Sequence, residues 1–244
     1  MSGICSAVLA SIILYCLHMT LPEIRSGAES KKMKEHISEV INKSSTEDDS
    51  LFPKEAWKTL YEENSDFRGY LMFQSGLIEE PIVQTYDNED YLEKGFDGSY
   101  NTAGTVFIES SASSESQNIT LFGHYVYYDS SLRFSPLEQM TDQKGYEDNQ
   151  IVYLFLKNEM RTYLVSSVFF ITEEEAEYYD YSCPDMTRED FMEWVSFINM
   201  KNIIDPIGGK VEVNDKLLTL QTCKKWDQFQ RELVICREIS RTDW

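Results

Sequence analysis

Three side chains in this sequence are of the types that nucleophilic thiol chemistry uses: the thiol of Cys223, the imidazole of His124 and the guanidinium of Arg231. Cys223 closes the run Leu217-Leu218-Thr219-Leu220-Gln221-Thr222, whose apolar and β-branched residues fit a buried strand. The chain then turns polar at Lys224, Lys225, Asp227 and Gln228, so the thiol stands at the mouth of a strand, beside two lysines that could help hold it as thiolate. Arg231 opens a second run, Glu232-Leu233-Val234-Ile235-Cys236, and one loop would let the two strand ends meet. His124 follows Asn118-Ile119-Thr120-Leu121-Phe122-Gly123 at another predicted strand end, where Gly123 gives the backbone room to turn. Thiol chemistry of this kind needs a thiolate, a proton carrier and a donor for the developing oxyanion. Taken singly, each group has an ordinary structural reading, since a free cysteine is commonly buried and inert. A non-catalytic binding module with Cys223 inside its core is the alternative to an enzyme.

Composition narrows the class. The chain has 244 residues, enough for one sizeable domain with an appendage. Its net charge of −20 argues against nucleic acid as a partner, because phosphate binding needs clustered lysine and arginine. Five cysteines include no CxxC pair, which argues against a disulfide framework or a structural zinc site. Phosphate-loop and zinc-protease readings lack their residues, as there is neither a GxxxxGK[ST] nor an HExxH run. The tripeptides Asn42-Lys43-Ser44 and Asn118-Ile119-Thr120 have the form of glycosylation acceptors, the second inside a predicted strand.

The elements that must position these groups follow from the hydrophobic pattern. Residues 2–22 hold no acidic residue, lysine or arginine, and a run of about 20 such residues can cross a bilayer as a helix. An uncleaved membrane anchor over residues 1–22 is therefore expected, with a signal segment as the other reading. Arg25, Lys31, Lys32 and Lys34 follow this segment and none precedes it, a bias that by itself opposes an exported C-terminal domain. A helical region is predicted over 23–66: Met33, Ile37, Val40 and Ile41 form one amphipathic stripe, with His36 on the polar side, and Pro53 starts a second helix that buries Trp57 and Leu60. From 67 to 244 the texture changes to strands, predicted at 70–73, 82–84, 105–109, 119–123, 151–156, 162–171, 217–222 and 232–238, which suggest an antiparallel barrel or sandwich. One helix interrupts the late strands: Thr187 and Asp190 stand at capping-box spacing ahead of Phe191, Trp194, Val195 and Ile198. Glu173-Glu174-Glu175 with Tyr178, Tyr179 and Tyr181 reads as a solvated loop, with peptide binding as the sharper alternative.

Thr219-Leu220-Gln221-Thr222-Cys223 resembles the TLxTC signature of sortases, Leu121-Phe122-Gly123-His124 resembles their strand-end histidine motif, and Arg231 stands where their arginine does. Ser65-Asp66-Phe67-Arg68-Gly69-Tyr70, Glu80-Pro81-Ile82-Val83-Gln84 and Asp87-Asn88-Glu89-Asp90-Tyr91-Leu92 are similar to the early part of class B members. The resemblance implies a mainly β fold: a closed eight-stranded barrel with two N-terminal helices and one long helix between late strands. It implies a cysteine transpeptidase of a Gram-positive cell surface, anchored by a single membrane pass with its catalytic domain outside. Cys223 would be the nucleophile, His124 the proton carrier and Arg231 the oxyanion donor, with Thr222 adding a hydroxyl or backbone donor. No metal or organic cofactor is implied. The partners implied are a surface protein or pilin bearing a sorting signal, and an acceptor amine on a peptidoglycan precursor or a pilin lysine. The chain departs from many class B members at Tyr125, where they have Asn, and at Lys224 and Lys225, where an acidic residue is common. These departures bear on substrate choice, and lean the acceptor toward a pilin.

Overall fold

The computed structural model describes residues 2–45, 51–225 and 227–243, with side chains described from residue 20 onward and that of Gln228 excepted. Helix α1 (Ser2–Ser44) runs unbroken through both the predicted anchor and the predicted amphipathic helix. Of the apolar side chains behind the anchor expectation, Ile4 to Met19 lie outside the described residues and Leu21 is exposed. Among the described residues no helix is long and apolar enough to cross a membrane. Helix α2 (Lys54–Glu63) starts after Pro53, whose φ of −68° is already that of a helix start. Trp57 and Leu60 are buried, as their spacing predicts, and His36 of α1 reaches across to Glu63 at 3.0 Å.

The remaining elements in order are β1 (Phe67–Phe73), β2 (Glu79–Val83), β3 (Val106–Ile108), β4 (Asn118–Phe122), a 3₁₀ helix (Ser135–Thr141), α3 (Gln143–Asp148), β5 (Ile151–Leu156), β6 (Glu159–Thr172), α4 (Glu173–Tyr179), α5 (Arg188–Lys201), β7 (Leu217–Lys224) and β8 (Asp227–Asp243). All eight predicted strands form, and they close in the order β1-β2-β3-β4-β7-β8-β6-β5. The barrel is mixed rather than antiparallel, because β2 pairs with β3 and β4 with β7 in parallel. Short apolar runs say nothing of direction. Parallel neighbours need long crossovers, and the connection from β4 to β7 holds two further strands and four helical segments.

Three apolar clusters hold this frame. One fills the barrel, with Leu121 of β4, Leu218 and Leu220 of β7 and Val234 and Cys236 of β8 in contact. A second seats the α1 stripe and α2 on the outer barrel face through Ile37, Trp57, Leu60, Phe67 and Phe155. The third packs α5 over the sheet through Phe191, Trp194 and Ile198 against Phe169, Leu217 and Leu233. The N-cap of α5 is Thr187, which accepts from the Asp190 amide as the spacing predicted. The acidic run 173–175 is not a loop but the first turn of α4: Thr172 and Glu175 form a capping box, and negative charge at a helix N-terminus is favourable. Asn118 is buried and bonded to Thr120, Thr219 and the Tyr181 carbonyl, so the tripeptide around it serves the β4–β7 join.

Candidate active site

The join between β4 and β7 builds the site. Their parallel ladder runs from Asn118↔Leu217 to Phe122↔Gln221, and the Gly123 amide adds one more bond to the Gln221 carbonyl. His124 and Cys223 each stand two residues beyond the last ladder pair on their own strands. They enter one groove of about 340 Å³ together with Arg231. Antiparallel pairing of β7 with β8 places Cys223 directly opposite Arg231, with a bulge immediately after the cysteine. Asn88, Leu92, Thr105, Phe107, Phe122 and Gln221 complete the lining. Cys223 is half-buried, whereas Cys236 is sealed in the barrel core, where burial drives its thiol far above the ordinary range. The three chemically competent groups named from sequence therefore meet at one accessible groove.

His124 is fixed by a hydrogen bond of 2.8 Å between Nε2 and the Leu92 carbonyl. A carbonyl can only accept, so Nε2 carries the hydrogen and the neutral ring leaves Nδ1 as its basic nitrogen. Burial lowers the imidazole pKa below its usual 6.5 and the nearby Arg133 charge adds to this, while the Leu92 carbonyl and Glu93 oppose it. At pH 7 the resting ring is neutral. A depressed pKa means that the unfolded chain binds this proton more readily, so the associated stability is complete above pH 6.5 and is lost as pH falls through the folded value. We expect an NMR titration of the His124 ring to give a midpoint below 6.5 in the folded protein; a midpoint above it would show the burial to be wrongly assigned.

Gly123 is required by close approach. A β-carbon there would come within 2.7 Å of the Phe134 ring, which packs under the turn that carries His124. Phe134 in turn donates its amide to the His124 carbonyl. Arg133, at φ 51°, bonds Glu80 at 2.8 Å and the Gly104 carbonyl at 2.8 Å, tying the segment after His124 to β2.

Of the two donors expected of Thr222, the hydroxyl does not face the groove. Strand alternation turns its side chain away from the Cys223 face, its hydroxyl is fully buried, and among the described residues Oγ1 has no hydrogen-bond partner. It faces Glu232, its partner across β7 and β8. Glu232 is 1 % exposed, and burial, then the Glu138 charge, raises its pKa to about 8. It is protonated at pH 7. Since the unfolded carboxyl ionises near 4.5, this residue stabilises the fold fully below that pH and the contribution is lost as pH rises through about 8. Glu232→Gln should remove that slope in denaturant titrations and leave the protein more stable than wild type at pH 8; an unchanged slope would refute a buried neutral carboxyl.

Neither lysine beside the cysteine is directed as the sequence reading expected. Lys224 Nζ bonds Gln230 at 3.1 Å, and Lys225 Nζ lies 2.9 Å and 3.0 Å from the two Glu138 oxygens. Arg231 lies 3.7 Å from Glu173 of α4. Tyr181, read from sequence as part of a solvated loop, is buried and donates to Gln221 at 3.2 Å beside the groove. Asn88 and Leu92 belong to a stretch whose resemblance was legible, but nothing local to it announced that it folds across the barrel mouth.

The chain belongs to the sortase family: its sortase domain spans residues 75–239. It is accordingly a cysteine transpeptidase. Within the family the likeness is to class B. Sortase B of Staphylococcus aureus is 23% identical over 187 residues, covering 75% of this chain and 74% of that protein. Sortase B of Listeria monocytogenes is 23% identical over 176 residues, covering 70% of this chain and 68% of that protein. The fold matches sortase B from B. anthracis with a TM-score of 0.75 at 21% identity, over 89% of this chain and 99% of that one. It matches a Staphylococcus aureus sortase B-substrate complex at 0.74 and 21% identity, over 90% of this chain and 99% of that one.

Proposed function

We propose that this protein cleaves a sorting signal after its threonine and passes the new acyl end to an amine, through a thioacyl-enzyme on Cys223. The observation that carries the proposal is the convergence of Cys223, His124 and Arg231 on one half-open groove. The Cys223 sulfur attacks the threonine carbonyl carbon and the thiol proton passes to His124 Nδ1, the nitrogen not engaged by Leu92. The carbonyl oxygen takes the negative charge, and the Arg231 guanidinium, opposite Cys223 in the ladder, donates to it. Collapse breaks the C–N bond, with the His124 proton going to the leaving amine. The incoming amine then attacks the thioester, gives its proton back through His124, and releases the sulfur. The Thr222 hydroxyl has no part in this scheme.

Sortases act at the cell surface, and an N-terminal anchor with the barrel outside is the arrangement proposed here, carried by the uncharged stretch 2–22. The acceptor is a primary amine of a cell-wall cross-bridge or of a pilin lysine. Of the departures that leaned toward a pilin, Tyr125 and Lys225 both bond Glu138 and Lys224 bonds Gln230. Incubating the purified protein with a panel of sorting-signal peptides and candidate amines, with products identified by mass spectrometry, tests the reading. A threonyl-amide product and a thioester adduct on Cys223 are expected. A product with no adduct at Cys223 would overturn the nucleophile assignment.

A further inference from the structure

The backbone ladder that joins β4 to β7 stops at Phe122 and Gln221, before either reactive residue. Beyond it the Leu92 carbonyl holds the imidazole and the Phe134 amide holds the His124 carbonyl, but apart from the single Gly123 amide bond neither ties the histidine segment to the cysteine end. One side chain spans the gap. Glu138, in the 3₁₀ helix, accepts from Lys225 through both of its carboxylate oxygens, at 2.9 Å and 3.0 Å, and from the Tyr125 hydroxyl at 2.8 Å. Lys225 lies two residues after Cys223 and Tyr125 one residue after His124. Tyr125 is itself buried and paired with Arg133, and its ring packs on Tyr127 at 5.0 Å, so the histidine end of the bridge is anchored. The cysteine end is a tight hairpin that pairs Lys224 with Asp227 straight after the bulge.

We propose that Glu138 is a positioning residue for the transpeptidase reaction: by clamping Lys225 and Tyr125 it holds the Cys223 hairpin against the His124 segment. The inference rests on the proposed roles of Cys223 and His124. Its energetic logic is geometric rather than electrostatic. A lysine–carboxylate pair that is about two-fifths exposed at both ends adds little to global stability, so the fold should survive its loss. Proton transfer is more demanding, since a misplacement of about 1 Å can cost a reaction about a hundredfold.

The test uses the whole chain, a productive sorting-signal peptide and hydroxylamine as acceptor. Glu138→Gln keeps the acceptor for Tyr125 but loses the charge for Lys225, and Lys225→Met keeps the apolar stem alone. Each should lower kcat about tenfold while KM for the peptide stays within about twofold and the thermal midpoint holds. The charge-swapped double variant, Glu138→Lys with Lys225→Glu, should recover most of kcat. Wild-type kcat in both single variants would overturn the clamp, as would a loss that the swap does not rescue or one that tracks unfolding. Cys223→Ala in the same assay separates the two readings: if it still transfers, the site assignment falls and the clamp with it, whereas an inert Cys223→Ala beside fully active Glu138→Gln and Lys225→Met removes the clamp alone.

Discussion

Cys223→Ala is expected to abolish both peptide cleavage and transfer, a loss on the order of 10⁴-fold or more, worth about 5 kcal/mol of transition-state stabilisation. The size follows from what the thiol does. On the proposed mechanism no covalent intermediate forms without it, and the acyl group has no carrier while the first amine leaves and the second enters. Alanine at this half-buried position removes one sulfur from the groove lining and leaves the β7–β8 ladder intact, so the fold is expected to be unaffected. Cys236 cannot substitute, because it is sealed in the barrel core and its thiol is held protonated by burial. Steady-state transfer and mass spectrometry of the enzyme check both halves. Transfer at the wild-type rate would remove the nucleophile assignment to Cys223.

Arg231→Lys is expected to lower turnover by about 10² to 10³-fold, in the range seen when one oxyanion donor is removed from a preorganised site. The substitution keeps a positive charge and a long stem, so it isolates geometry. A guanidinium presents a planar fork of donors, whereas an ammonium offers a compact, strongly hydrated point charge that the strand does not orient. Arg231 sits across the ladder from Cys223, so its fork is held by backbone pairing rather than by a loop, with Glu173 at 3.7 Å on the far side. The loss should appear in kcat with a smaller change in KM, since the oxygen carries full charge only on the way through the tetrahedral state. A lysine variant near wild-type turnover would remove the oxyanion role.

Much of the frame was legible because hydrophobic period speaks directly to backbone class. The eight apolar runs became the eight strands, and the stripe of Met33, Ile37, Val40 and Ile41 became the face of α1 that packs on the barrel, with Ile37 buried and the other three partly so. Strand direction was not legible: β2 with β3 and β4 with β7 run parallel, which depends on how long crossovers return and not on residues within the strands. The acidic run 173–175 was misread for a related reason. Its helix is set by the Thr172–Glu175 capping box and by packing of Ala176 and Tyr179 against the α5 cluster, contacts that a count of charges does not contain.

Residue types and spacing alone named the thiol, imidazole and guanidinium that stand at strand ends and are proposed to do the chemistry, and marked the strands carrying them as apolar enough to be buried. Only the tertiary structure decided where those groups face. Alternation along β7 put the Thr222 hydroxyl inside the barrel with Glu232 while Cys223 reached the groove. Glu138 drew Lys225 away from the thiol, and the Leu92 carbonyl chose the tautomer of His124. Each of these contacts joins residues far apart in the chain, and their energies depend on distances and burial that arise only once the barrel has closed.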